Sequence, residues 1–302
     1  MTTELDGLLD RIDFLRGRPR QVSELSGGLT NKNYRVRTDE GDYVVRVSET
    51  AVGLLAIDRA RERANTAIAW RSGVGAPVVG SLPDSNVLVV GFIEGRTFGP
   101  EDVRDHTTIP RIAAALRALH SGDPFEGGFD MRQIRRYYLS VVQERGFRLP
   151  DDYLVLAPRI EALEDALAVH PEALVPCNND LLAANFIDDG KQIWIIDYEY
   201  SGMNEASFEL GNVASESGLD DEASALLVRS YWERDSVAKL ARARAWSLLA
   251  RYGWTLWASI QDGSSPIDFD FWSWGMAKYD SARHELLSRR YDEILAGLGA
   301  DD

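Results

Sequence analysis

Cysteine is nearly missing from this chain of 302 residues, in which Cys177 stands alone. A single thiol rules out an internal disulfide and any metal site built on several cysteines, and it fits a reducing compartment. Its place beside a polar loop reads as burial of a small apolar side chain rather than as redox chemistry. Long apolar runs are missing too. No segment approaches the length that crosses a bilayer, and the opening MTTELDGLLDRIDFL reads as a short amphipathic helix rather than a charged-then-apolar leader, so a cytoplasmic location is expected. Basic residues are scarce beside acidic ones: 33 Lys and Arg stand against 48 Asp and Glu, a formal charge of −15. That balance argues against nucleic acid or an anionic membrane surface as a partner and mildly favours a cationic one. Internal repeats, low-complexity tracts and long linkers are lacking as well. What remains, 45% hydrophobic and 27% charged, is a globular composition with length enough for two lobes.

The most informative stretch is NNDLLAANFIDDGKQIWIID, residues 178–197. It sets Asp180 five residues ahead of Asn185 and places Asp197 at the end of the apolar run 193–196. Two short strand-like segments around Asp188-Asp189-Gly190 read as a hairpin that holds all three groups on one rim. Such a set can bind a metal-phosphate group. One carboxylate accepts a proton from an attacking hydroxyl, while the amide and the second carboxylate offer hard oxygen ligands to Mg²⁺. The spacing matches the catalytic-loop and metal-loop pair of protein-kinase-like phosphotransferases. Asp and Asn are also ordinary loop residues, so the spacing alone fits a plain loop equally well.

Taken together, NNDLLAANF, IIDYEYSG and FELGN closely resemble the choline/ethanolamine kinase branch of the aminoglycoside phosphotransferase-like superfamily, whose loop reads H-N-D-x4-N and whose metal segment reads I-D-[FY]-E-Y. The resemblance implies an α+β, bilobal protein-kinase-like fold: a small β-rich nucleotide-binding lobe over 1–95 and a larger helical lobe over 96–302 for catalysis and the acceptor. It implies Asp180 as the catalytic acid–base residue, Asn185 and Asp197 as Mg²⁺ ligands, and ATP as co-substrate. One position departs from the pattern. The family His is Asn178 here, at a place that braces the loop; an amide can donate and accept hydrogen bonds but cannot titrate.

Upstream, residues 21–48 read as strand, Gly-rich loop, strand, tight turn, strand. Gly27 and Gly28 remove Cβ atoms where backbone meets phosphate oxygens, so 27–31 (Gly27, Gly28, Leu29, Thr30, Asn31) is the candidate phosphate loop, although a Gly pair is also a common turn signal. Arg46 falls in the third strand where kinases keep a phosphate-contacting Lys, and the choline kinase branch is similar in using Arg. Glu62, in a helix expected over 54–71, is placed to hold Arg46 by an ion pair or else is one more solvated charge. Strands over 76–82 and 87–92 lead into a hinge where the backbone of Gly91, Phe92 and Ile93 would meet an adenine edge, with Gly95 ending the lobe.

The remainder reads as helices over 111–120, 132–144, 152–170, 222–232 and 237–261, with one closing helix over 268–295. The first carries apolar residues at 112, 116 and 119 and ends on His120, a C-terminal helix partner rather than a catalyst. Three groups bear on the acceptor: Tyr198, Glu199 and Tyr200 after Asp197; Glu209 and Glu216, seven apart and so on one helical face; and Trp254, Trp257, Phe269, Trp272 and Trp274. A quaternary ammonium has no N–H to donate, so aromatic faces with nearby carboxylates suit it. By position in the resemblance, Tyr200, Trp254, Trp257, Phe269 and Trp274 form a cage with Glu216 as acidic partner; each Trp alone fits core packing as well. The expected activity is transfer of the γ-phosphoryl of ATP to choline or a related cationic alcohol. A kinase of an aminoglycoside or of thiamine, and a catalytically silent nucleotide-binding scaffold prompted by Asn178, are the alternatives. Nothing in the sequence speaks to oligomeric state.

Overall fold

Alternation along the first strands builds a sheet with two unlike faces. The computed structural model describes residues 2–25, 31–48 and 52–300. Helix α1 (Thr2–Leu9) precedes β1 (Gln21–Leu25), β2 (Asn31–Arg37) and β3 (Asp42–Ser48), which pair antiparallel in sequence order. After α2 (Arg59–Arg71), β4 (Val78–Leu82) and β5 (Val87–Gly91) complete a five-stranded sheet in the order β1-β2-β3-β5-β4. The period of two sends Val45, Val87 and Val89 to one face, where they pack with Leu9, Ile12 and Leu15. Val44, Arg46, Leu88 and Val90 lie on the other face and line a cleft.

The helix expected to begin at residue 54 begins five residues later. Residues Val52–Leu54 form a single 3₁₀ turn, and Ala56 adopts a left-handed φ of 57° that interrupts the helical path. Asp58 then caps α2, its side chain accepting from the backbone N–H groups of Ala60 and Arg61. Glu62 therefore sits in the first turn, anchored and pointing back toward the sheet.

Beyond β5 the chain continues through β6 (Arg96–Thr97), α3 (Pro100–Arg104), α4 (Ile109–His120), α5 (Met131–Arg145), α6 (Tyr153–Val169) and β7 (Leu174–Cys177). The β8 (Phe186–Asp188) and β9 (Ile193–Ile195) hairpin follows, then β10 (Gly202–Glu205), α7 (Ala206–Ser217), α8 (Asp221–Trp232), α9 (Val237–Ser264), α10 (Phe271–Leu286) and α11 (Arg289–Leu298). The fold is thus α+β, an antiparallel sheet followed by a larger helical part. Ile112, Leu116 and Leu119 of α4 are fully buried, as their helical stripe requires. Asp188 Oδ1 accepts from Gly190 N–H and Asp189 Oδ1 from Lys191 and Gln192 N–H, closing the hairpin turn where Gly190 takes a φ of 86°. Arg111 of α4 holds Asp188 through two hydrogen bonds of 2.6 and 2.7 Å, fixing the hairpin to the helical part.

One expected element is two. The closing helix breaks at Leu287 and Ser288, where Ser288 Oγ accepts from Arg290 N–H and starts α11 afresh. A hydroxyl that competes for backbone donors at a helix start favours a new N-cap over helix continuation.

Candidate active site

The loop 178–185 leaves β7 and returns through β8, and its shape is set from behind by buried side chains. Glu209 of α7, fully buried, accepts from the N–H groups of Asn178 and Asn179 at 2.7 and 2.9 Å through Oε1. Its Oε2 lies 2.6 Å from Nε2 of His120, whose Nδ1 meets the Tyr231 hydroxyl at 2.7 Å. His120 is the helix-end partner anticipated from sequence, and buried Cys177 lies beside it at 3.7 Å. Asn212 Oδ1 accepts from Leu181 N–H at 2.6 Å. Asn179 holds a left-handed φ of 69° while its amide donates to the carbonyls of Cys177 and Tyr200.

Asn178 ties this loop to the segment after β9 that carries Asp197. Its Nδ2 donates to the carbonyls of Ile196 and Asp197 at 3.1 and 2.8 Å, and its Oδ1 accepts from Asp180 N–H at 3.0 Å. Asp197 itself has a φ of 65°, so the bonds pin a strained residue. Asn185 donates through Nδ2 to the carbonyl of Asp180 at 2.7 Å, which leaves its Oδ1 as an acceptor toward the cleft.

Arg46 and Glu62 meet as the sequence pattern anticipates, with Nη1 2.7 Å from Glu62 Oε1. The same guanidinium reaches Asp197 Oδ2 at 2.6 Å. Arg59 has no role in the sequence reading, yet it lies 2.7 Å from Glu62 and 3.0 Å from Glu199; Glu199, expected to bear on the acceptor, joins this network and also accepts from Asn31 Nδ2 at 2.9 Å. Burial works against the charge of Arg46, but Asp197 and Glu62 outweigh it and hold the guanidinium ionised. The cleft beneath the sheet has a volume of ≈380 Å³, with Leu25, Val44, Ala76 and Leu88 above and Ile187 and Ile196 below. Gly91, Phe92, Ile93 and Gly95 line its rear. Of these, Gly91 N–H donates to Pro77 O and Phe92 N–H to Asp42 O, so Ile93 is the hinge residue whose N–H takes no protein acceptor among the described residues. Gly27, Gly28, Leu29 and Thr30 lie outside the described residues; Asn31 opens β2.

A second cavity of ≈100 Å³ adjoins the cleft and is walled by Asp180, Glu199, Tyr200, Glu216, Trp254, Trp257 and Trp274. Tyr200 and Trp254 meet edge to face at 5.1 Å, and Trp257 Nε1–H donates to the Tyr200 hydroxyl at 2.9 Å. Phe269 is a correction. It is 41% exposed and absent from the cavity wall, because the turn before α10 carries it outward against Phe271 at 4.9 Å. Phe271 points into the helical core instead, buried 5.7 Å from Trp257, and is not part of the cavity wall either. Sequence reading also missed Lys278, one turn beyond Trp274 on α10. Its Nζ is 2.5 Å from Glu216 Oε2 and 4.2 Å from the Trp274 ring centroid.

Burial, reinforced by Glu216, Asp197 and Glu199, raises the Asp180 carboxyl well above the ordinary carboxylate range, with Lys278 opposing. A carboxylate with that proton affinity is a competent acceptor for a hydroxyl proton. Cleft, loop and acceptor cavity together define a kinase-like small-molecule phosphotransferase. The chain belongs to the choline/ethanolamine kinase family, whose pattern matches residues 22–230. It is 29% identical to mouse ethanolamine kinase 2 over 91% of this chain and 80% of that one. A choline/ethanolamine kinase family protein from Mesorhizobium loti superposes with a TM-score of 0.86 at 29% identity, covering 98% of both chains. Choline kinase LicA from Streptococcus pneumoniae shares the fold, with a TM-score of 0.75 at 24% identity over 88% of this chain and 93% of that one.

Proposed function

We propose that this protein transfers the γ-phosphoryl of ATP to the hydroxyl of ethanolamine, choline or a close relative, with residues 1–95 serving the nucleotide and 96–302 the reaction and the acceptor. One observation carries the reading: the nucleotide-sized cleft and the small aromatic cavity share a wall, formed by Asn33, Ala184, Asn185 and Asp197. A phosphoryl group leaving the first has a short path to a hydroxyl in the second. At about 10–15 Å³ per water-sized position, the acceptor cavity holds roughly seven to ten such positions, which suits a small amino alcohol and not a multi-ring sugar.

In this reading Asp180 orients the acceptor hydroxyl and takes its proton. Arg46, positioned by Glu62, faces the phosphates with the loop 27–31, and Ile93 offers a backbone donor to the base. Asn185 Oδ1 and the Asp197 carboxylate are the hard oxygen donors that suit Mg²⁺. That ion, when bound, supplies charge neutralisation to the nucleotide phosphates. Tyr200, Trp254 and Trp257 hold the cationic end of the acceptor, with Trp274 and Glu216 completing the cavity wall. The test is ADP release with Mg-ATP against a panel of amino alcohols, thiamine and aminoglycosides. Turnover confined to the amino alcohols is expected; turnover confined to thiamine or an aminoglycoside, or tight nucleotide binding without transfer to any acceptor, overturns the assignment.

A further inference from the structure

A cation that belongs to the protein, Lys278, is held against two wall residues of the acceptor cavity, Glu216 and Trp274. Three of the cavity's neighbouring carboxylates have internal partners: Asp197 has Arg46, Glu199 has Arg59, and Glu216 has Lys278. Lys278 is the unusual one: it stands outside the cavity wall but engages two residues that form it, the Glu216 carboxylate and the Trp274 face, both features that recognise a cation. Its side chain is 11% exposed and that of Glu216 3%, so the pair is held rather than flickering in solvent. Buried polar atoms of the cavity wall that have no hydrogen-bond partner among the described residues include Asn33 Oδ1, Trp254 Nε1 and one carboxylate oxygen, Glu216 Oε1. Leaving a buried carboxylate oxygen unpaired is costly, and a ligand that supplies an N–H relieves that cost.

We propose that Lys278 is a specificity-determining residue. By occupying Glu216 Oε2 and covering Trp274, it leaves Oε1 as the position that reads the acceptor, and so favours an ammonium that carries an N–H over a fully methylated one. This rests on the functional reading above and deepens it. Lys278 is a positioning residue in this scheme: it fixes the carboxylate so that one oxygen stays committed and the other faces the ligand. A trimethylammonium group can use the remaining rings but cannot satisfy Oε1.

The methylation series ethanolamine, N-methylethanolamine, N,N-dimethylethanolamine and choline separates this from simple size selection, because the N–H is lost only at the last step. For wild type, kcat/KM is expected to change little over the first three and to drop roughly tenfold to a hundredfold at choline, the range set by one unsatisfied buried charged acceptor. Lys278→Met should shrink the dimethyl-to-choline ratio toward one by freeing both the carboxylate and the Trp274 face, with the KM for ATP unchanged. Lys278→Arg should restore much of the ratio. A gradual decline across the series, or choline turned over as well as the dimethyl compound, overturns the proposal from wild type alone, whether or not any variant folds. A well-folded Lys278→Met variant with an unchanged ratio does so too. Absence of transfer to every member is a different result, and it removes the functional reading itself.

Discussion

Truncating Asn178 to Ala should loosen the joint between the catalytic loop and the metal segment more than any other single side-chain change near the site. The side chain is fully buried and makes three hydrogen bonds, two as donor to the carbonyls of Ile196 and Asp197 and one as acceptor from Asp180 N–H. At about 0.5–1.5 kcal/mol for each bond, and with partners left unpaired in the interior, the loss comes to roughly 2–4 kcal/mol. For a chain of this size that corresponds to a fall in Tm of roughly 3–6 °C. Because the bonds run to both Asp180 and Asp197, the geometry of base and metal ligand relaxes together, and a shift on the order of 1 Å is worth about a hundredfold in rate. The expected outcome is a kcat lower by roughly 10- to 100-fold and a raised half-saturation for Mg²⁺, read by coupled ADP release. Asn178→His should fall between, since a neutral imidazole has one donor and one acceptor for three bonding positions. An Asn178→Ala protein that melts within about 1 °C of wild type and turns over within about threefold would refute the bracing role.

Asp180→Asn should abolish transfer while nucleotide affinity holds, because the carboxylate that takes the proton goes and Asn185 and Asp197 stay; turnover within about tenfold of wild type counts against Asp180 as base. Trp257→Phe removes the N–H that holds the Tyr200 hydroxyl at 2.9 Å and shrinks one π face, so the acceptor KM should rise by about two- to thirtyfold with the ATP KM unmoved. Equal loss for both substrates would return Trp257 to the core. The Asp188 carboxyl is lowered from 3.8 to about 2, chiefly by its hydrogen bonds with Arg111. The folded-state value is the lower one, so the stabilisation is whole above about pH 4 and is lost as the pH falls through about 2; after allowance for solvent it is worth about 1–2 kcal/mol. Melting curves of Arg111→Met and wild type should differ at pH 6, draw together below about pH 4 and converge only below about pH 2, and a gap that stays constant with pH would show that the pair does not act through this titration.

The site was readable where chemistry depends on local spacing. Asp180 and Asn185 lie just before one hairpin and Asp197 just after it, and the Asp188-Asp189-Gly190 turn that closes it is written in residues with their own backbone preferences. Arg46 and Glu62 could be paired because strand alternation and one helical turn fix their directions. Lys278 could not, since its role depends on α7 and α10 both packing on α9, so that it meets Glu216, 62 residues earlier in the chain. Arg59 was hidden in a run of helix-surface charges, and Phe269 was placed inward because its segment matched a pattern, whereas the turn before Asp270 rotates the aromatic order by two residues. Leu287 and Ser288 break a helix without Gly or Pro, so the periodic pattern runs straight through them.

Two residues with left-handed backbone, Asn179 in the loop and Asp197 in the metal segment, show how the site holds its geometry. Each such position costs on the order of 1–3 kcal/mol and persists only where surroundings over-determine it. Here they do so reciprocally. Asn178 donates to the carbonyl of Asp197, while Asn179 donates to the carbonyl of Tyr200, three residues further along the same segment, and Glu209 clamps the loop's N–H groups from the opposite side. Strain in one segment is thus held by bonds from the other, which makes the loop and the metal segment a single rigid unit. The acceptor side is built otherwise: a lysine holds Glu216 and Trp274 of the cavity wall, and that wall keeps polar atoms, Glu216 Oε1 and Trp254 Nε1 among them, without a hydrogen-bond partner among the described residues. A site rigid at the reacting atoms and incomplete at the acceptor can change which alcohol it accepts through α10 without disturbing the groups that move the phosphoryl.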